Sequence, residues 1–128
     1  MKFSYTILYV KDVTQSVAFY EKAFGLQQHF IDESGQYAQM ETGSTKLAFA
    51  SNELANSNLT NGFQENNLKN QPAGVEIAFT TDDVDTAFNR AVEAGAVSEV
   101  APKQKPWGQK VGYVRDLDGV LIEIAGLM

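Results

Sequence analysis

Two glutamates stand in strand-like apolar runs. Glu123 lies in the middle of "VLIEIA" (120–125), and Glu76 lies in "VEIAF" (75–79). An ionised carboxylate in an apolar strand costs several kcal/mol unless it is paired, bound to a metal or reached by water. Two such groups on one wall could ligate a divalent ion, move a proton, or face a cationic or hydroxyl-rich ligand. Other chemistries are thinner. There is no Cys, which removes disulfides, thiolate metal sites and Cys nucleophiles. His29 is the only His, and it begins a predicted strand, where surface or packing roles compete with ligation. No elbow or triad spacing joins a Ser, Asp and His into a hydrolase. Asp116-Leu117-Asp118-Gly119 reads as a turn and is far too short for a calcium loop.

The elements that must position these groups come as a repeat. "YTILYVKDVTQSVAFYEKAFG" (5–25) aligns with "EIAFTTDDVDTAFNRAVEAGA" (76–96), matching Asp12 with Asp83 and Val13 with Val84. "METGSTKLAFA" (40–50) aligns with "RDLDGVLIEIA" (115–125), each a strand end, a Gly-containing turn and a strand. The order predicts two β-α-β-β-β modules, about 1–51 and 73–126, within one domain spanning 1–128. The fold class is α+β. Asp12 and Asp83 are expected N-caps, and Gly25 and Gly95 mark helix ends. Val13, Val17, Tyr20 and Phe24 form one helical stripe; Val84, Ala87, Phe88, Ala91 and Val92 form another. After the second helix, strands are expected near 97–101, 109–115 and 120–126. The Asn-rich stretch about 52–72 has no sustained period and reads as a loop, either a lid or a flexible linker. Phe63 is its best candidate to dock at a site.

Side chains alternate across a strand, so each strand divides into two faces. Thr6, Leu8, Val10, Leu47, Phe49, Val75, Ile77, Phe79, Val120, Ile122 and Ile124, almost wholly bulky and apolar, would meet the helix stripes. The opposite face carries Tyr5, Ile7, Tyr9, Lys46, Ala48, Ala50, Glu76, Ala78, Thr80, Leu121, Glu123 and Ala125. This set is small or polar. It fits the wall of a wet cavity, and it fits the solvated outer face of a half-buried sheet equally well.

Composition bounds the partners. The 128 residues carry a formal net charge of −6, with no Lys/Arg cluster to neutralise phosphates. Nucleic acid and anionic membranes are not expected partners. The apolar stretch of "MKFSYTILYVKD" is too short for a signal peptide, and no run reaches the ~18 apolar residues of a membrane span. A cytoplasmic protein is expected.

The paired layout, "YVKDVTQSVAFYEKAFGL" and "PWGQKVGYVRDLDGVLIEI" together resemble the vicinal oxygen chelate superfamily, which includes glyoxalase I, bleomycin-resistance proteins and extradiol dioxygenases. The C-terminal run is similar to the family's aromatic-V-x-D-P-D-G-x-x-I-E ending, with Leu117 in place of the Pro. The resemblance implies half-barrel sheets around a cavity, helices on the convex side, and a homodimer. It places the four metal-ligand positions of the glyoxalase-type members on Tyr5, Ala48, Glu76 and Glu123. Alanine has no donor, and a neutral phenol is a poor divalent ligand. The leading expectation is therefore binding of a small organic molecule without a cofactor or catalytic metal. The ligand-contacting residues would be Tyr5, Tyr9, Ala48, Phe63, Glu76, Trp107, Tyr113 and Glu123. The alternative is a divalent-metal lyase, isomerase or dioxygenase with Glu76 and Glu123 as ligands. His29, Asp32, Glu41 or a dimer partner would then supply missing donors. A third reading is an interaction module with no cavity ligand.

Overall fold

The computed structural model describes all of residues 1–128, which divide into two compact units, Met1–Glu65 and Asn66–Met128. The first unit contains β1 (Tyr5–Val10), α1 (Val13–Phe24), β2 (Gln27–Ile31), β3 (Tyr37–Glu41), β4 (Lys46–Ser51) and α2 (Asn52–Asn58). The second contains β5 (Glu76–Thr81), α3 (Val84–Glu93), β6 (Val97–Gln104), β7 (Lys110–Arg115) and β8 (Leu121–Gly126). The two sheets run β1-β4-β3-β2 and β5-β8-β7-β6, and neither is closed. In each, the first strand pairs parallel to the last, and the other neighbours are antiparallel. This is the α+β architecture of two β-α-β-β-β modules that the repeat predicts.

Local chemistry starts and stops the helices as expected. Asp12 accepts from the Gln15 N–H at 3.0 Å and Asp83 from the Thr86 N–H at 3.1 Å, each satisfying an orphan donor of the first turn. Gly25, at φ 71°, ends α1 in the left-handed conformation. The helices cover the apolar strand faces. In the first unit Val13, Val17 and Tyr20 bury against Leu47, Phe49 and Met40, with the Tyr20 and Phe49 rings 4.9 Å apart. Burying a side chain such as Phe49 stabilises by about 2–3 kcal/mol. In the second unit Val84, Phe88 and Ala91 bury on the face that holds Val114, Ile122 and Ile124. A Cβ on Gly112 would lie 3.0 Å from Phe88 and from Pro102, so glycine allows α3 its close approach to β7.

Two expectations need correction. Val92 and Val75 are exposed, so neither belongs to a core face; Val75 also precedes β5. The stretch 52–72 is not a featureless loop. Its first seven residues form α2, capped by Ser51, whose hydroxyl accepts from the Leu54 N–H at 3.0 Å, and Ala55 is buried. Phe63 packs edge-on against Tyr9, with ring centroids 4.8 Å apart. The compact units part after Glu65, so 52–65 belongs to the first and 66–72 to the second. No helix is long and apolar enough to cross a membrane.

Candidate functional site

In the second unit, β5 is an edge strand beside β8, and β7 flanks β8 on its other side. Glu123 pairs in register with Ala78 on β5 and Tyr113 on β7. Glu76 is two residues from Ala78, on the same face. The two carboxyl groups meet across the parallel pair and hydrogen-bond to each other. Two carboxylates this close cannot both ionise freely, so one proton is retained. The bond to Glu123 holds the Glu76 proton most strongly, burial and the Glu123 charge add to it, and the Glu76 pKa rises to about 7. Tyr113 donates its hydroxyl to Glu123 Oε2 at 3.3 Å. Burial, then the charges of Glu123 and Glu76, push the phenol up from its ordinary value. At neutral pH the trio can accept hydrogen bonds from a cation or a hydroxyl, and it can take or give a proton.

The same trio is a poor metal site. A catalytic divalent centre takes about three strong protein donors, and two carboxyls with a neutral phenol fall short. No group of three or more His, Cys, Asp or Glu side chains is assembled for a metal ion. The proposed extra donors are engaged elsewhere. His29 sits at an exposed irregularity of β2 with its Nδ1 3.2 Å from Glu41 Oε2. Glu41 also binds Lys46, whose hydrogen bond lowers the Glu41 pKa. Asp32 closes a turn by accepting from the hydroxyl and backbone N–H of Ser34, which lower its pKa. Ala48 is 0% exposed and carries no donor; Tyr5 opens β1, half exposed, in register with Lys46. The residues present do not fit a glyoxalase-type metal.

The corresponding face of the first unit is aromatic and neutral at its centre. Ile7, Ala48 and Gln39 form one cross-strand row, and Tyr9, Ala50 and Tyr37 the next. Gln39 donates to the Tyr37 hydroxyl at 2.9 Å, and Phe63 rests on Tyr9. Trp107 falls elsewhere. It is 60% exposed at the tip of the β6–β7 hairpin, donating from Nε1 to Gln109 Oε1 at 2.9 Å. Three strand residues, about 10 Å, separate Tyr113 from Lys110, where that hairpin begins, so Trp107 does not join the acid pair within its own unit.

Arg115 escaped the sequence reading. It is 7% exposed, and its guanidinium donates to the carbonyls of Gly119 (3.0 Å), Leu68 (3.2 Å) and Asn67 (3.3 Å). The available signal was a cation closing the strand "KVGYVR", immediately before an Asp-Gly turn.

Known proteins match this fold along its length. The sequence model of the Glyoxalase/Bleomycin resistance protein/Dioxygenase superfamily matches residues 2–124. The uncharacterised protein YraH of Bacillus subtilis is 30% identical over 126 residues, 97% of either chain. A glyoxalase-related enzyme from Fulvimarina pelagi superposes with a TM-score of 0.86 at 22% identity, over 99% of this chain and 88% of the other. A glyoxalase/bleomycin resistance protein/dioxygenase family enzyme from Burkholderia phytofirmans gives 0.84 at 22% identity, over 100% of both chains. At these identities the two structures speak to the fold.

Proposed function

The chain belongs to the Glyoxalase/Bleomycin resistance protein/Dioxygenase superfamily, and on that premise we propose that it binds a small cationic organic molecule on the polar strand face, without a catalytic metal. The carrying observation is the Glu76–Glu123 pair with Tyr113 donating to it. A proton already satisfies the pair, and an ammonium or guanidinium group could take that proton's place.

The test uses two cations, proflavine followed by fluorescence and benzylamine followed by ligand-observed NMR, with naphthalenesulfonate as the anionic control. Cations should bind, and the anion should not. Affinity should rise about tenfold per pH unit up to the Glu76 pKa of about 7 and then level, because the cation displaces a proton. A chelator should change nothing. Binding that favours the anion, or that a chelator abolishes, overturns the reading.

The proposal extends to assembly. β1 is an edge strand whose Tyr5 and Ile7 are exposed beside an exposed Phe3, a margin that a second copy would cover. Light scattering should give about twice the 14.0 kDa chain mass; a monomer at tens of micromolar rejects the dimer.

A further inference from the structure

Arg115, Leu121 and Glu76 occupy one cross-strand row, a single row from Tyr113, Glu123 and Ala78. The row lies at the β7–β8 turn. Alternation from Tyr113 puts Arg115 on the face of the acid pair. Two of its three hydrogen bonds therefore bring the backbone of Asn67 and Leu68 to that face, and the third holds the guanidinium to Gly119 in the turn. Asn67 starts a tight turn of its own: its side chain accepts from the Lys69 N–H at 2.9 Å and its carbonyl from the Asn70 N–H at 3.0 Å. From there the chain must reach β5, where Glu76 begins the edge strand. That path spans two strand spacings, about 10 Å. Segment 67–75 is thus tied down at both ends, by Arg115 at one and by β5 pairing at the other.

The turn is shaped for this contact. Gly119 sits at φ 90°, and a Cβ there would lie 2.6 Å from Arg115 Nη2 and 3.0 Å from the Asn67 carbonyl carbon. Asp116 holds the turn from within, its Oδ1 accepting from the N–H groups of Asp118 and Val120, both at 2.9 Å. A buried guanidinium spent on backbone carbonyls is tolerant of the segment's sequence and demanding of its position. Lysine could not replace it, because one ammonium lacks the planar fork that reaches three carbonyls.

We infer that Arg115 is a positioning residue that fixes segment 67–75 as a rim of the ligand-binding face, and that this rim limits the size of molecule the face accepts. The size claim rests on the proposed cation-binding function; the anchoring claim does not. The experiment separates them with Arg115→Met and Arg115→Lys in the full chain. Amide exchange in residues 68–75 should quicken about tenfold or more in both variants, while β8 amides stay protected. The ratio of proflavine to benzylamine affinity, measured at pH 8, should shift toward the larger cation by about fivefold or more in both variants.

Unchanged exchange in 68–75 overturns the anchor. A wild-type affinity ratio in Arg115→Lys overturns the rim, because it would mean that the charge matters and the geometry does not. If the wild-type protein binds neither cation, the binding reading and the size claim fall together, and the exchange data still decide the anchor. Should Arg115→Met fail to fold, Gly119→Ala displaces the guanidinium by another route and is read in the same way.

Discussion

Across the centre of the first unit's polar face runs the row Ile7–Ala48–Gln39; across the second runs Ala78–Glu123–Tyr113. The strands, pairing directions and register are equivalent, yet one row is neutral and closed while the other holds an ionisable pair. The next row inverts as well. Tyr5 and Lys46 lead toward Glu41 in the first unit, and Glu76 and Leu121 lead to Arg115 in the second. In one unit the hairpin charge binds surface partners, His29 and Lys46; in the other it binds buried backbone. The difference teaches that this topology fixes where a side chain points and leaves its chemistry to the neighbours in its row. Glu123 is tolerated because Tyr113 and Glu76 supply donors on either side.

The sharpest way to break the comparison is to move the acid. Ala48→Glu places a carboxylate at a position with no exposure, between Ile7 and Gln39. It should destabilise the protein by about 3 kcal/mol or more in urea denaturation, as an unpaired buried charge does. If Ala48→Glu is as stable as wild type, row neighbours do not explain why Glu123 is tolerated.

The two hairpin glycines come next. Gly43 and Gly119 both have φ above 90° or equal to it, at 96° and 90°. A Cβ at Gly43 meets nothing within 4 Å, whereas at Gly119 it meets Arg115 and Asn67. Gly43→Ala should cost only the conformational strain, about 1 kcal/mol. Gly119→Ala adds a clash with a buried guanidinium and should cost about 3 kcal/mol. Equal losses in thermal or urea unfolding would deny the Arg115 contact any energetic weight.

Acid and base should act on the units in opposite senses. The folded-state pKa of Glu76 lies above its unfolded value, so the stability linked to its proton is complete below about 4.5 and is lost as pH rises through about 7. Between pH 5 and pH 8 that loss should be about 1 kcal/mol, after discounting for the exposure of Glu76. Glu76→Gln should flatten this part of the curve. Glu41 is lowered by Lys46, so its contribution is present above the unfolded pKa and lost on acidification. Melting curves of Glu76→Gln and Glu41→Gln against pH should therefore diverge from wild type at opposite ends. A Glu76→Gln curve that parallels wild type from pH 5 to pH 8 would show that the pair shares no proton. The smallest effect belongs to His29→Ala, an exposed pair partner, which should change stability by no more than about 0.5 kcal/mol in the same assay.

Much of the architecture is legible in the sequence. Asp12, Asp83 and Gly25 are local signals, since a cap acts within one helical turn of itself. Alternation sorted Leu8, Val10, Phe49, Ile122 and Ile124 from Tyr5, Ile7, Glu76 and Glu123, because a strand's two faces are set by its own backbone. Just before the stretch 52–72, Ser51 is of a residue type that caps helices, yet the Asn-rich sequence that follows it has no apolar period to announce α2.

What pairs with what lay beyond the linear pattern. Glu76 and Glu123 are distant in sequence, and only the parallel register of β5 with β8 brings them to one proton. The same holds for Tyr113, for the burial of Ala48, and for the distance between Trp107 and the acid pair. Arg115 is the clearest case. Its partners are three backbone carbonyls, and a backbone carbonyl has no letter in a sequence. The sequence by itself determined the elements, their caps and their faces, because those follow from short-range sterics and periodicity. Only tertiary structure decided which charges meet, because that depends on register between strands that the chain joins through long detours.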